Sequence, residues 1–239
     1  MKKLLLLLLF VPLLGNAQLK DLIKKAKDKI PSSMSSGNVD IASGLKEALN
    51  KGIDKQVSKL TATDGFYKNE AVKILLPEEL QKVDKTLRKM GLSDLADDGI
   101  RALNRAAEDA VKEATPVFVS AIKNMTITDA KSILLGNNSA ATTYLEKSTS
   151  TELYLKFSPV VKESIGKVGA DKVWAAIIKK YNSLPMVTKV NPDISDHVTK
   201  KALEGVYKMI AVQELSIRTD LSARNSDVLK KVFAMQDKK

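Results

Sequence analysis

The sequence predicts an all-α protein, an irregular multi-helix bundle behind a cleavable signal peptide, with at most one short extended segment near 72–76. Three observations carry that expectation. Apolar residues recur three or four positions apart along almost the whole chain, the spacing of one helix face. The alternating strand–helix rhythm of a nucleotide-binding fold is missing. The first seventeen residues run from charge through an apolar core to small residues, the order that marks an exported chain.

Each element follows from its residues. Met1, Lys2 and Lys3 are a cationic start, Leu4 to Leu14 is apolar except for Pro12, and Gly15-Asn16-Ala17 places small residues before a cut. That run is shorter than the roughly 20 residues a membrane-spanning helix needs, so residues 1–17 read as a signal peptide cleaved after Ala17. Residues 18–39 read as an amphipathic helix (Leu19, Leu22, Ile23, Ala26, Ile30) and a Ser/Gly-rich linker, and 40–239 as a single helical domain. Within it Ile41, Leu45, Leu49, Ile53, Val57 and Leu60 form one stripe, closed by an Asp64-Gly65 turn. Residues 72–76 (VKILL) read as extended, because Pro77 disfavours helix at the residue before it. A helix follows to about Met90 with Gly91 as its stop, then an alanine-rich helix from Ser93 or Asp94.

Thr115-Pro116 is expected to end that helix, with Thr115 capping the next, and Thr128 or Asp129 to cap a short helix closed by Gly136. Further helices are expected at about 150–168 with a break at Ser158-Pro159, and at 171–183 with Val173, Trp174, Ile177, Ile178 and Tyr181 inward. A loop at 184–192 precedes a helix from about Ser195 to Arg218, and Asn225 or Ser226 caps a final one.

Composition narrows the chemistry. The chain has no cysteine, which removes disulfides, thiolate metal sites, thiol nucleophiles and lipoprotein anchoring. Lysine and arginine number 39 against 28 acids, a formal net charge of +11. Only Arg88, Arg101, Arg105, Arg218 and Arg224 are arginine, so the planar fork that reads phosphates and bases is scarce, and no specific nucleic-acid partner is expected. His197 is the only histidine; it excludes histidine metal clusters and reads as a surface or interface residue. No nucleophile elbow, phosphate loop or dinucleotide turn is present, and no cofactor or metal is expected.

What remains is polarity inside alanine-rich segments. Arg101, Asn104 and Glu108 are three and four apart and share a helix face, with Leu103, Ala106, Ala107, Ala110 and Val111 around them. Asp129 and Thr142 flank the Gly136 turn among small residues. A buried polar group needs a partner, so Arg101, Asn104, Glu108, Asp129 and Thr142 form a candidate polar seam that either binds a ligand or locks helix register.

Several segments also resemble one family. They are Gly44-Leu45-Lys46-Glu47-Ala48-Leu49, the Asp64-Gly65-Phe66 turn, VKILLP at 72–77, NRAAEDAV at 104–111, Phe118-x-x-Ala121-Ile122-x-x followed by MTITDA through Ala130, the IL-x-G turn at 133–136, and AATTYL at 140–145. Over about 40–235 the chain resembles the bacterial domain of unknown function 4197 family. The resemblance implies an exported helical envelope protein of a Gram-negative bacterium and supplies no catalytic residue.

The leading expectation is therefore a periplasmic, non-enzymatic binding or scaffold protein, with an envelope protein or a small polar ligand as partner. A hydrolase using a carboxylate pair such as Glu108 and Asp129 is the first alternative. Weak association with a membrane surface through the lysine-rich segment 19–30 is the second.

Overall fold

The stripe at 41–60 becomes the buried face of α1 (Ser32–Thr61): Leu45, Ile53, Val57 and Leu60 are buried, and Ile41 and Leu49 half-buried. The computed structural model describes residues 32–237, apart from Met90, Leu92 and scattered positions between 168 and 192. The leader at 1–17, the amphipathic stretch at 19–30 and the apolar residues Val173, Trp174, Ile177, Ile178 and Tyr181 lie outside the described residues. Among the described residues the regular structure is helical throughout, without a strand, and no helix is long and apolar enough to cross a membrane. Contacts divide the chain into Met1–Asp40 and Ile41–Lys239. Of the first, residues 32–40 are described, as the opening of α1. The Ser/Gly-rich stretch expected as a linker is thus helical there, since extending a formed helix adds a hydrogen bond per residue without a new nucleus.

In the second unit the chain leaves α1 through Asp64 (φ 67°) and Gly65, whose N–H donates to Ala62 O at 2.9 Å. A Cβ on Gly65 would stand 2.4 Å from Lys59 O, so the turn requires glycine. Residues 73–77 carry no regular structure, and Pro77 (φ −51°, ψ 148°) leads into a 3₁₀ turn (Glu78–Leu80) and α2 (Gln81–Lys89). The alanine-rich helix is α3 (Ser93–Val111), with Leu103, Ala106, Ala107, Ala110 and Val111 fully buried.

Three boundaries differ from expectation, each for a local reason. α4 (Ala114–Asn124) starts before Thr115: Glu113 is its N-cap without a side-chain bond, and Pro116 sits in the first turn, where no N–H is needed. α5 (Ile127–Leu134) is capped by Thr126, and Asp129 is the third-position partner that closes the capping box. α6 (Ala140–Lys167) runs unbroken through Pro159. Pro159 is exposed, and the carbonyl it leaves without a donor belongs to Leu155, itself 67% exposed, so the proline sits on the solvent side of the helix. Restoring the donor with Pro159→Ala is expected to stabilise the protein by about 1–3 kcal/mol, read from urea unfolding midpoints; a loss of stability would contradict this account of α6.

The last elements are α7 (Ile194–Thr219), capped by Asp193, a 3₁₀ turn (Leu221–Ala223), and α8 (Asp227–Phe233), capped by Ser226 as expected. α3, α6 and α7 pack mutually, α4 and α5 lie on α6, and α2 lies on α3. Leu145, Leu153, Phe157, Val161 and Ile165, on one four-residue row of α6, are buried without exposed surface. Burying each such side chain contributes roughly 1.5–3 kcal/mol. A second apolar cluster joins Leu45 of α1, Ile133 and Leu134 of α5, Ile217 of α7 and Leu229 and Phe233 of α8.

Candidate functional site

The site is built outward from α3. Asn104 has no exposed surface, so its amide must find partners inside the protein. Its Oδ1 accepts from Ile74 N at 2.8 Å, and its Nδ2 donates to Ile74 O at 2.9 Å and Ile100 O at 2.8 Å. One turn later Glu108 does the same for the start of the segment. Its Oε1 accepts from Phe66 N at 3.1 Å, and its Oε2 takes Arg105 Nη1 at 2.6 Å. Arg105 Nη2 goes on to Asp64 Oδ1 at 2.6 Å, and Lys68 bonds the other oxygen of Asp64. The Lys68 bond, with help from Arg105, holds the Asp64 carboxyl below its usual range against the cost of burial. The ring of Phe66 rests on α7 at Gly205, where a Cβ would meet it at 2.8 Å. Residues 64–76 are thus fastened to α3 by Asn104, Arg105 and Glu108, and to α7 by the Phe66 ring at Gly205 and by His197 at Leu75 O.

This fastening creates the wall of a cleft. Residues 71–78 form one side and His197, Lys201, Glu204, Gly205 and Lys208 of α7 the other, enclosing about 410 Å³. His197 Nε2 lies 3.0 Å from Leu75 O; a carbonyl only accepts, so that ring nitrogen carries the proton. Lys201 pairs with Glu204 at 2.6 Å, and Lys73 Nζ stands 4.8 Å over the Tyr67 ring. Lys208 is exposed and in no ion pair among the described residues.

A second polar centre lies in the other apolar cluster. Glu214 of α7, buried, accepts from Ala141 N (2.9 Å), Thr142 N (2.8 Å) and Thr142 Oγ1 (2.8 Å), placing its charge at the positive end of α6. Arg218, one helical turn on, contacts Glu214 at 2.8 Å and donates to Ile133 O (2.7 Å), Leu134 O (3.2 Å) and Gln236 (2.9 Å). One ion pair therefore ties the beginning of α6, the end of α5 and the carboxy-terminal residues together. The apolar crevice beside it has room of about 40 Å³, enough for a water or two and not for a ligand.

The five seam residues are thus distributed. Asn104 and Glu108 act on one segment. Arg101 is exposed, pairs with Asp98 at 2.9 Å and lies 5.4 Å over the Tyr67 ring beside that segment. Asp129 bonds within the Thr126 capping box, which holds its carboxyl below the usual range, and Thr142 belongs to the Glu214 centre. The structure records no hydrogen bond joining Glu108 to Asp129, and each carboxylate has its own set of donors. Glu214 and Arg218 escaped the sequence reading. Their signal was an i,i+4 acid–arginine pair beside Ile210 and Ile217, in a chain with few arginines.

Between the two centres Tyr207 meets Thr149 Oγ1 at 2.8 Å, and burial pushes its phenol up from 10 to about 12. A phenol whose folded value is raised contributes stability that is full below the unfolded value and is lost as pH climbs from 10 towards 12. Absorbance titration should show a tyrosine ionising at about 12, a component absent in Tyr207→Phe; an unchanged titration curve in that variant would refute the assignment.

The comparisons with known proteins fit this architecture to one group. No curated protein and no solved structure matches the chain. A family model described as "Protein of unknown function (DUF4197)" matches residues 35–234, taking in α3, the 64–76 segment, both polar centres and the cleft. The chain belongs to that family.

Proposed function

We propose that this is an exported, non-enzymatic binding protein of the cell envelope, with the cleft between residues 71–78 and α7 as its ligand site. Export is supported by the Lys2-Lys3 start, the Leu4–Leu14 run and Gly15-Asn16-Ala17, which fit cleavage after Ala17 and residence in the periplasm. The observation that carries the binding role is how the buried polar side chains are spent. Asn104 and Glu108 are consumed in holding the segment that forms the cleft wall, as positioning residues. The cleft itself, within the size range of ligand pockets, is lined by Lys73, Lys201 and Lys208 and by Leu75, which is exposed.

Native mass spectrometry on the protein purified gently from its own periplasm tests this reading. The chain is expected to start at Gln18 and to carry a bound mass that the double variant Lys201→Glu/Lys208→Glu loses. Equal native and denatured masses in the wild type, or a bound mass retained by the variant, would contradict it.

A further inference from the structure

We propose that the occupant of this cleft is an extended acidic peptide that lies as a strand alongside residues 73–75; the inference rests on the cleft being the ligand site. A single side-chain amide spans both the N–H and the C=O of Ile74, at 2.8 and 2.9 Å. It reaches both only when they point the same way, which they do in an extended residue. Asn104 thereby stands in for a neighbouring strand on the α3 side. In an extended chain the next residue's groups face the opposite side, and Leu75 O does, meeting His197 of α7 at 3.0 Å. Pro77 holds Leu76 extended as well.

The cleft-facing groups between these anchors are Leu75 N–H and Lys73 C=O. Neither has a hydrogen-bond partner among the described residues, whereas Lys73 N–H is bonded to Asn69 O and Leu75 O to His197. One donor and one acceptor, separated by one residue and turned to the same side, are the open rung of a sheet edge. A strand laid parallel or antiparallel supplies an acceptor to the first and a donor to the second. The bonded groups on either side limit the pairing to a short stretch, in keeping with a cleft of about 410 Å³.

Charge selects the peptide. Glu204 is occupied by Lys201, and Glu78 stands against Lys73 and Lys208 on the cleft walls, in a chain of net charge +11. Acidic side chains gain from that balance in affinity and in rate of encounter. Leu75, 53% exposed, offers apolar contact to the peptide's intervening residues.

The test uses the full chain exported with its own leader and ¹⁵N-labelled, titrated with three probes. These are an acetylated heptapeptide alternating Glu and Val, the same peptide N-methylated at its central residues, and succinate. The Leu75 amide is expected to shift with the first peptide. N-methylation should weaken binding about tenfold, the worth of one lost hydrogen bond. Lys73→Glu/Lys208→Glu should weaken it by a similar factor of about ten. Equal binding of the N-methylated peptide overturns strand pairing. Succinate perturbing the same amides while N-methylation has no effect overturns the peptide and leaves the cleft as an anion site. No shift at Leu75 or His197 with any probe overturns both the peptide and the cleft.

Discussion

Replacing Arg218 with alanine is expected to lower the unfolding free energy by about 3–5 kcal/mol, the usual result of removing one partner from a buried ion pair. At about 2–4 °C of Tm per kcal/mol for a chain of this size, that is a fall of roughly 10 °C. The loss has two sources. Glu214 keeps its bonds from Ala141 and Thr142 and loses its counter-charge in a buried site. The carbonyls of Ile133 and Leu134 at the end of α5 lose their buried donor. The double variant Glu214→Gln/Arg218→Met should cost less than the sum of the single replacements, because no lone charge is left behind. Lys51→Ala, which breaks a pair of similar length (2.6 Å to Glu47) on the exposed face of α1, should stay within about 0.5 kcal/mol. Urea melts that rank Lys51→Ala level with Arg218→Ala would show that the Glu214 centre does not hold these helix ends.

Asn104→Leu keeps nearly the same shape and removes the partner of both Ile74 backbone groups. Each orphaned group costs about 1–3 kcal/mol, so a loss of roughly 2–6 kcal/mol is expected. Asn104→Asp separates shape from chemistry. Its carboxylate still accepts from Ile74 N–H, and it turns an oxygen onto Ile74 O and Ile100 O where the amide donated. Burial and those two carbonyls raise the new carboxyl's folded value above its unfolded one. The destabilisation then grows as pH rises past the unfolded value, so the deficit against wild type should be smaller at pH 5 than at pH 8. Equal deficits at both pH values would show that Asn104 does not face those carbonyls.

The helices were legible because each buries one face, and a face repeats in the sequence. The α1 stripe, the alanines of α3 and the Ser226 cap are all local patterns. Pro159 was misleading for a tertiary reason: the helix on both sides of it is held by the buried row of Leu153, Phe157, Val161 and Ile165, and the proline and Leu155 lie on the exposed side of α6. The cap of α5 was misplaced by two or three residues because Thr126, Thr128 and Asp129 carry similar local chemistry, and only the closed Thr126–Asp129 box separates them.

The polar residues were legible as needing partners and not as having particular ones. Asn104 and Glu108 bond backbone groups 30 and 42 positions away, and peptide groups have no sequence signature. Their spacing on one helix face predicted a shared role. Arg101 does not share that role, because it is exposed and pairs with Asp98.

The measurement closest to the central claim is residue-resolved hydrogen exchange across 72–76 in the ligand-free protein. Asn104 holding an extended segment from one side predicts alternation: the Ile74 amide protected, the adjacent Leu75 amide exchanging as an open group, and Ile74 losing its protection in Asn104→Leu while α6 and α7 keep theirs. Equal exchange at Ile74 and Leu75 in the wild type, or a protected Ile74 in the variant, would contradict the account.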